Sequence, residues 1–147
     1  MVRGYSKKME LTYQIQTPTP QQWRMLRESV GWGDNGFSEE SIRAGLANTV
    51  YGVCAYDGER TVGMARVVGD GHMYFFLQDV IVHAQYQHHG IGRRMVELLL
   101  EHIEATAEPH SHIGLMAAKG KESFYEQFGF SRRPNEHYGA GMVRTTK

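Results

Sequence analysis

The chain carries a single cysteine, Cys54, so no internal disulfide can form, and sparse cysteine fits a reducing compartment. No apolar run approaches the roughly 18 residues that a membrane-spanning helix requires. The first ten residues are basic and polar with no apolar stretch among them, which excludes a secretory signal there and leaves them as an expected flexible segment. A cytoplasmic location follows as the expectation. Charge of one sign is also missing: Lys+Arg and Asp+Glu each number 16, giving a formal net charge of zero. A neutral balance gives no electrostatic footprint for nucleic acid or for an anionic membrane surface, so small partners are expected instead. Long polar linkers, internal repeats and low-complexity stretches are absent, and 147 residues make one domain, 1–147, with enough chain for a sizeable core.

What the chain does contain is a strand, a glycine pair and a helix in immediate succession. Tyr74 to Val82 is aromatic and β-branched enough to be a strand, and it leads through a short polar turn into Gln87-His88-His89-Gly90-Ile91-Gly92. Arg93 to Leu100 then continues as an amphipathic helix, with Met95, Leu98, Leu99, His102 and Ile103 at helical spacing up to Glu108-Pro109. Glycines at a helix mouth let ligand oxygens approach the backbone, where first-turn N–H groups have no intrahelical partner. Unpaired donors and the positive end of the helix dipole act at one place, and a diphosphate is the natural guest.

The rest of the chain frames that unit. Leu11 to Thr17 alternates as a first strand; Thr19-Pro20 with Gln22 reads as a capping box opening a helix to about Val30, and Ser38 as the N-cap of a second helix to about Asn48. Tyr51–Tyr56 and Thr61–Val68 are strands joined through Asp57-Gly58, and with the strand ending at Val82 they make an antiparallel meander. A short buried strand over Ile113–Ala118, a short helix over Lys121–Phe128, and a last hairpin between Phe130–Arg132 and Gly141–Thr145 complete the expectation. The fold class is α/β, a mixed, mostly antiparallel twisted sheet flanked by helices.

The glycine spacing matches neither the G-x-G-x-x-G of a dinucleotide site nor the P-loop. Gln87-x-x-Gly90-x-Gly92 resembles the GNAT superfamily of N-acetyltransferases, whose signature Gln/Arg-x-x-Gly-x-Gly/Ala lies between the fourth strand and the third helix and holds the pyrophosphate of coenzyme A. Two more features fall in the family's order. Asp79-Val80-Ile81-Val82 is similar to the strand that pairs with the pantetheine arm, and Tyr125-Glu126-Gln127-Phe128-Gly129-Phe130 is close to the family's Tyr-Glu-x-x-Gly-Phe.

The resemblance implies splayed fourth and fifth strands with the cofactor, acetyl-CoA, in the cleft between them. It implies contacts from Val80, Ile81 and Val82 to the pantetheine, and from Gln87, His88, His89, Gly90, Ile91, Gly92 and Arg93 to the pyrophosphate. Backbone N–H near Val80 or Ile81 would hold the carbonyl oxygen, and Tyr125 would be the general acid for the departing thiolate. Two departures stand out. His88-His89 replace a common Arg/Lys-Gly pair, which would make cofactor affinity rise as pH falls toward about 6 if the imidazoles line the phosphates. Ala118 stands where many relatives have an asparagine on the pantetheine, so backbone of the Ala117–Lys121 turn would substitute.

For a base, Gln78 and Asp79 lie where the strand passes the reacting centre. Side chains alternate, so a regular strand shows only one of them to the cleft; bringing Asp79 round needs a bulge, and its other reading is a carboxylate at the sheet rim or bonded to neighbouring backbone. The family's acceptor wall corresponds here to segments carrying Trp32, Phe37, Phe75, Phe76, His137 and Tyr138, with Trp32, Phe76 and Tyr138 taken as substrate contacts. Aromatics with only scattered acids (Asp34, Glu39, Glu136) fit a small-molecule amine with an apolar body. The implied activity is direct acetyl transfer in a ternary complex; a peptide or protein amine as acceptor, or a non-catalytic acyl-CoA-sensing domain, are the other readings. Edge strands at the final hairpin would permit a homodimer. Histidine spacing matches no zinc set, so no metal is expected; Cys54 reads as a buried thiol, and Ser123 lacks the setting of a nucleophile.

Overall fold

The structure is a computed structural model describing residues 8–147; residues 1–7 of the expected flexible segment lie outside it. Its elements run β1 (Leu11–Ile15), α1 (Pro20–Ser29), α2 (Glu39–Ala47), β2 (Tyr51–Asp57), β3 (Arg60–Gly69), β4 (Tyr74–Val82), a 3-10 turn (Ala84–Tyr86), α3 (Ile91–Thr106), β5 (His112–Leu115) and α4 (Glu122–Glu126). The strands form one sheet in the order β1-β2-β3-β4-β5, antiparallel except for the β4–β5 pair. A helix between β4 and β5 makes that connection a parallel crossover.

Both early helices start where local chemistry dictates. Thr19 Oγ1 accepts the Gln22 N–H and the Gln22 side chain accepts the Thr19 N–H, the reciprocal capping box, with Pro20 in the first turn. Ser38 caps α2 through Ser41 N–H, and Ile42 and Leu46 are its buried residues. These helices cover one sheet face, where Trp23, Leu26, Ile42 and Leu46 pack with Met64 and Ile81. The opposite face holds the larger core: Ile91, Met95, Val96, Leu99 and Ile103 of α3 lie against Val53, Ala55, Ala65, Val67, Phe75 and Leu77. Leu98 and His102, expected in that stripe, are only partly buried.

Three expectations are corrected. The strand expected over 113–118 is the four-residue β5, half-buried at the sheet edge rather than enclosed. The short helix covers Glu122–Glu126 and not the full 121–128. No final hairpin forms among the described residues: the chain beyond Phe130 has no strand, and Arg132 turns back to Glu126 at 2.7 Å and to Ser123 at 3.1 Å.

β4 and β5 pair only over Tyr74–Leu77 with His112–Leu115. Beyond Leu77 the two strands part, so Gln78–Val82 keeps β3 on one side and no partner strand on the other. This half of β4 leads toward the start of α3.

Candidate active site

The parting coincides with a defect in β4. Met64 pairs with Ile81 and Arg66 with Gln78, so one intervening residue of β3 faces two of β4. Asp79 supplies the extra residue by adopting φ 55°, a left-handed conformation that Asp tolerates better than most side chains. The bulge resets the alternation. Leu77, Val80 and Val82 pack toward α3, whereas Asp79 and Ile81 face α1 and α2. Gln78 shares that face with Asp79, its Nε2 3.5 Å from Asp79 Oδ1.

Asp79 is therefore brought round as only a bulge allows, but its carboxylate is already engaged. Trp23 Nε1 donates to Oδ2 at 2.9 Å, Arg27 Nη1 to Oδ1 at 2.8 Å and Arg66 Nη1 to Oδ2 at 2.9 Å. The side chain is 2% exposed. Arg66 also donates to Thr49 Oγ1 and to the Gly45 carbonyl beside the end of α2. Arg27 Nε donates to the Gly33 carbonyl in the loop after α1, and its guanidinium lies between the Trp23 ring (4.6 Å) and the Trp32 ring (5.6 Å). Trp23, Arg27 and Arg66 were not singled out from sequence. The available signal was Arg66 and Asp79, opposite charges set in otherwise apolar strands.

Past the end of β4, the 3-10 turn and the loop to Gly90 carry the chain into α3. Tyr86 Oη donates to Asp57 at 2.6 Å, and the Arg60 guanidinium lies 5.2 Å from the Tyr86 ring, fastening this turn to the β2–β3 hairpin. His83 Nδ1 accepts the Gln85 N–H, and desolvation together with the Arg60 charge lowers its pKa. Gly90 is the N-cap of α3 at φ 77°, with no side-chain cap, and His88 is also left-handed at φ 68°. First-turn N–H groups at an uncapped, glycine-led helix mouth fit a pyrophosphate, and Gln87, His88, His89 and Gly90 are all exposed there. Arg93 is not free beside them: it pairs with Glu97 at 3.3 Å and donates to Gln127 Oε1 of the chain after α4. Arg94 pairs with Glu97 at 3.3 Å.

α4 lies beside the mouth. A Cβ on Gly92 would sit 3.7 Å from Phe124 Cζ and 3.6 Å from Val82, which puts α4, the end of β4 and the start of α3 side by side. Tyr125 stands next to Phe124 and Phe130, edge to face with both, and burial raises its pKa. Ala118 is exposed in the turn before α4, where its carbonyl accepts the Lys121 N–H.

Of the expected acceptor contacts, Trp32 is 45% exposed over Arg27, and Phe76 is half-buried beside Gly114 of β5. Tyr138 is 56% exposed in a turn tied by Asn135, its ring near Arg133. Phe75 does not belong to the wall: it is 3% exposed in the core under α3, because Tyr74–Leu77 is regular and its odd positions point there. Asp34 and Glu39 both pair with Arg24, leaving these two acids already matched.

The sheet is open, its one parallel pair ends at Leu77 and Leu115, and β4 continues toward an uncapped helix start. The family model for the acetyltransferase (GNAT) domain matches residues 17–146, and the chain belongs to that family. It is 27% identical over 125 residues to a protein of the cyanobacterium Prochlorococcus marinus named "Uncharacterized N-acetyltransferase ycf52-like", covering 82% of this chain and 67% of that one. A ycf52 N-acetyltransferase of Pyropia yezoensis is 25% identical over 75% of this chain, which spans 63% of that relative's length. Among solved structures, the probable acetyltransferase SA2161 of Staphylococcus aureus superposes with a TM-score of 0.81 at 28% identity, over 92% of this chain and 99% of that one. The GNAT family protein SP0256 of Streptococcus pneumoniae gives 0.77 at 26% identity, over 93% and 98%.

Proposed function

We propose that this chain transfers the acetyl group of acetyl-CoA to the primary amine of a small molecule by direct attack within a ternary complex. The observation that carries the reading is the half of β4 that has β3 but no β5 beside it, Gln78–Val82, leading toward the uncapped mouth of α3. Bound there, acetyl-CoA would supply an acyl group activated as a thioester.

The chain's own groups divide the work. N–H groups at Gly90–Arg93, with Gln87, His88 and His89 around them, hold the pyrophosphate. Backbone of Val80, Ile81 and Val82 aligns the pantetheine, joined by the Ala118 turn, and an N–H of the bulged segment stabilises charge gathering on the carbonyl oxygen. Tyr125, kept protonated by its burial, gives its proton to the departing thiolate. An alkyl amine with a pKa of about 10 is roughly 0.1% neutral at pH 7, an offset of about 4 kcal/mol. With Asp79 engaged by three strong donors, the ammonium proton passes to solvent, and the Gln78 amide oxygen is left to accept a hydrogen bond from the neutral amine. Trp32, Phe76 and Tyr138 supply apolar surface for the acceptor's body.

A cytosolic location is part of this reading, in keeping with a sequence that has one cysteine. β5, the last strand of the sheet, offers an edge for pairing two copies. The test is release of free CoA from acetyl-CoA over a panel of alkyl and aromatic amines, a lysine peptide and a polyamine. Release with small monoamines supports the proposal. Release with the peptide alone would transfer the role to protein acetylation, and tight acetyl-CoA binding without release would indicate a sensing domain.

A further inference from the structure

We propose that Asp79 is a positioning residue for acyl transfer: clamped by Trp23, Arg27 and Arg66, its carboxylate holds the β4 bulge in fixed register with the acceptor-side wall. The inference rests on the acyl-transfer reading above.

The argument begins with the backbone. A non-glycine residue at φ 55° inside a strand is costly, and such a conformation persists only where surroundings over-determine it. Here the surroundings are three charged or polar donors from two elements. Trp23 and Arg27 are one helical turn apart on α1 and reach both carboxylate oxygens, while Arg66 reaches across from β3, the strand opposite the bulge. A regular β4 would turn residue 79 toward α3, into the apolar core, and would break all three contacts. The carboxylate thus selects the bulged register.

The same two arginines continue outward. Arg27 grips the Gly33 carbonyl and lies against Trp32 in the loop expected to bear the acceptor. Arg66 grips Gly45 and Thr49 beside the end of α2. One buried carboxylate therefore links the strand at which the acyl carbonyl would lie to both helices of the acceptor wall. Both oxygens of that carboxylate already accept from protein donors, and neither is directed at an acceptor.

A base and a positioning residue predict different kinetics. The protein is prepared as wild type, Asp79→Asn and Trp23→Phe, and kcat, KM for acceptor and acetyl-CoA, and the pH dependence of kcat/KM are measured with a small amine. Asparagine retains tolerance of the left-handed backbone but removes the charge. Positioning predicts that kcat falls about 10- to 100-fold in Asp79→Asn, with KM for acetyl-CoA nearly constant and the ascending pH limb unmoved. It also predicts that Trp23→Phe, which removes one donor to the carboxylate and leaves the charge in place, lowers kcat in the same direction without moving that limb. Loss of the ascending limb in Asp79→Asn, or a limb displaced to higher pH at unchanged kcat in Trp23→Phe, would make Asp79 the base and overturn the proposal. If Asp79→Asn does not fold, Trp23→Phe alone decides between the two.

A second readout needs no turnover. The chain has two tryptophans, Trp23 and Trp32, and both lie on Arg27. In the Trp23→Phe background, adding Asp79→Asn should free Arg27 and raise acrylamide quenching of Trp32. Unchanged quenching in a folded double variant would show that the clamp does not reach the acceptor loop. Absence of CoA release by wild type with every amine would instead sink the acyl-transfer reading, a result separable from the fluorescence.

Discussion

Asp79 takes an indole N–H and two guanidinium groups at 2.8–2.9 Å, with its side chain 2% exposed, and such a cluster is costly to break from one side. Deleting the carboxylate leaves Arg27 and Arg66 buried without their counter-charge. Asp79→Ala should cost about 3–5 kcal/mol in urea unfolding, well above the ~1 kcal/mol typical of point mutants. A loss below ~1 kcal/mol would mean water reaches the arginines and the cluster holds little. Tyr125→Phe tests a different contribution: turnover should fall ~10²-fold or more while acetyl-CoA affinity stays near wild type, and equal turnover would remove Tyr125 from proton transfer. Sequence placed Gln78 and Asp79 where β4 would pass the reacting centre and indicated that a bulge would be needed to present the aspartate. It did not show the occupants of the carboxylate, since Trp23 and Arg27 come from α1 and Arg66 from β3, and spacing along a chain does not display contacts between elements.

At the scale of elements, those with a local stop or start signal were legible. The Thr19–Gln22 capping box and the Ser38 cap each satisfy backbone groups within a few residues, and Asp57 pairs with Arg60 around Gly58-Glu59, so their geometry is written where it acts. Thr19→Ala should therefore cost ~1 kcal/mol, measured as a lowered melting temperature, and no change would show that packing of Trp23 and Leu26 alone holds the start of α1. The final hairpin was misread because strand-like composition in Phe130–Arg132 and Gly141–Thr145 needs a ladder to join. β5 ends at Leu115, Arg132 is drawn to α4, and Asn135 closes a turn on His137 and Tyr138 instead. The splay of β4 from β5 came from family resemblance; no periodicity marks where two strands stop pairing.

For the whole molecule, zero net charge and two cores on either face of one sheet leave stability resting on burial, and alkaline pH probes this directly. Cys54 is fully buried, and desolvation pushes its thiol up to about 11 from an ordinary 9.0. Its folded-state value is the higher one, so its contribution is complete below pH 9 and is lost as pH rises from 9 through about 11. That loss amounts to roughly 2–3 kcal/mol at about 1.4 kcal/mol per unit. Burial raises the pKa of Tyr13, Tyr56 and Tyr125 as well, adding to the decline above the tyrosine range. Cys54→Ala should flatten the stability profile between pH 9 and 11, and an unchanged slope would assign the loss to the tyrosines. No helix among the described residues is long and apolar enough to cross a membrane. The proposed acetyl-CoA site lies between the half of β4 that has no β5 partner and the mouth of α3. Its most direct test is the thermal shift of the purified protein with acetyl-CoA, with adenosine as control. Ligand at about 100 times its dissociation constant should add ~2.7 kcal/mol and raise the midpoint by roughly 5–10 °C, with no shift from adenosine. An unmoved midpoint at saturating acetyl-CoA in folded protein would contradict the account, since the cleft would then hold no cofactor.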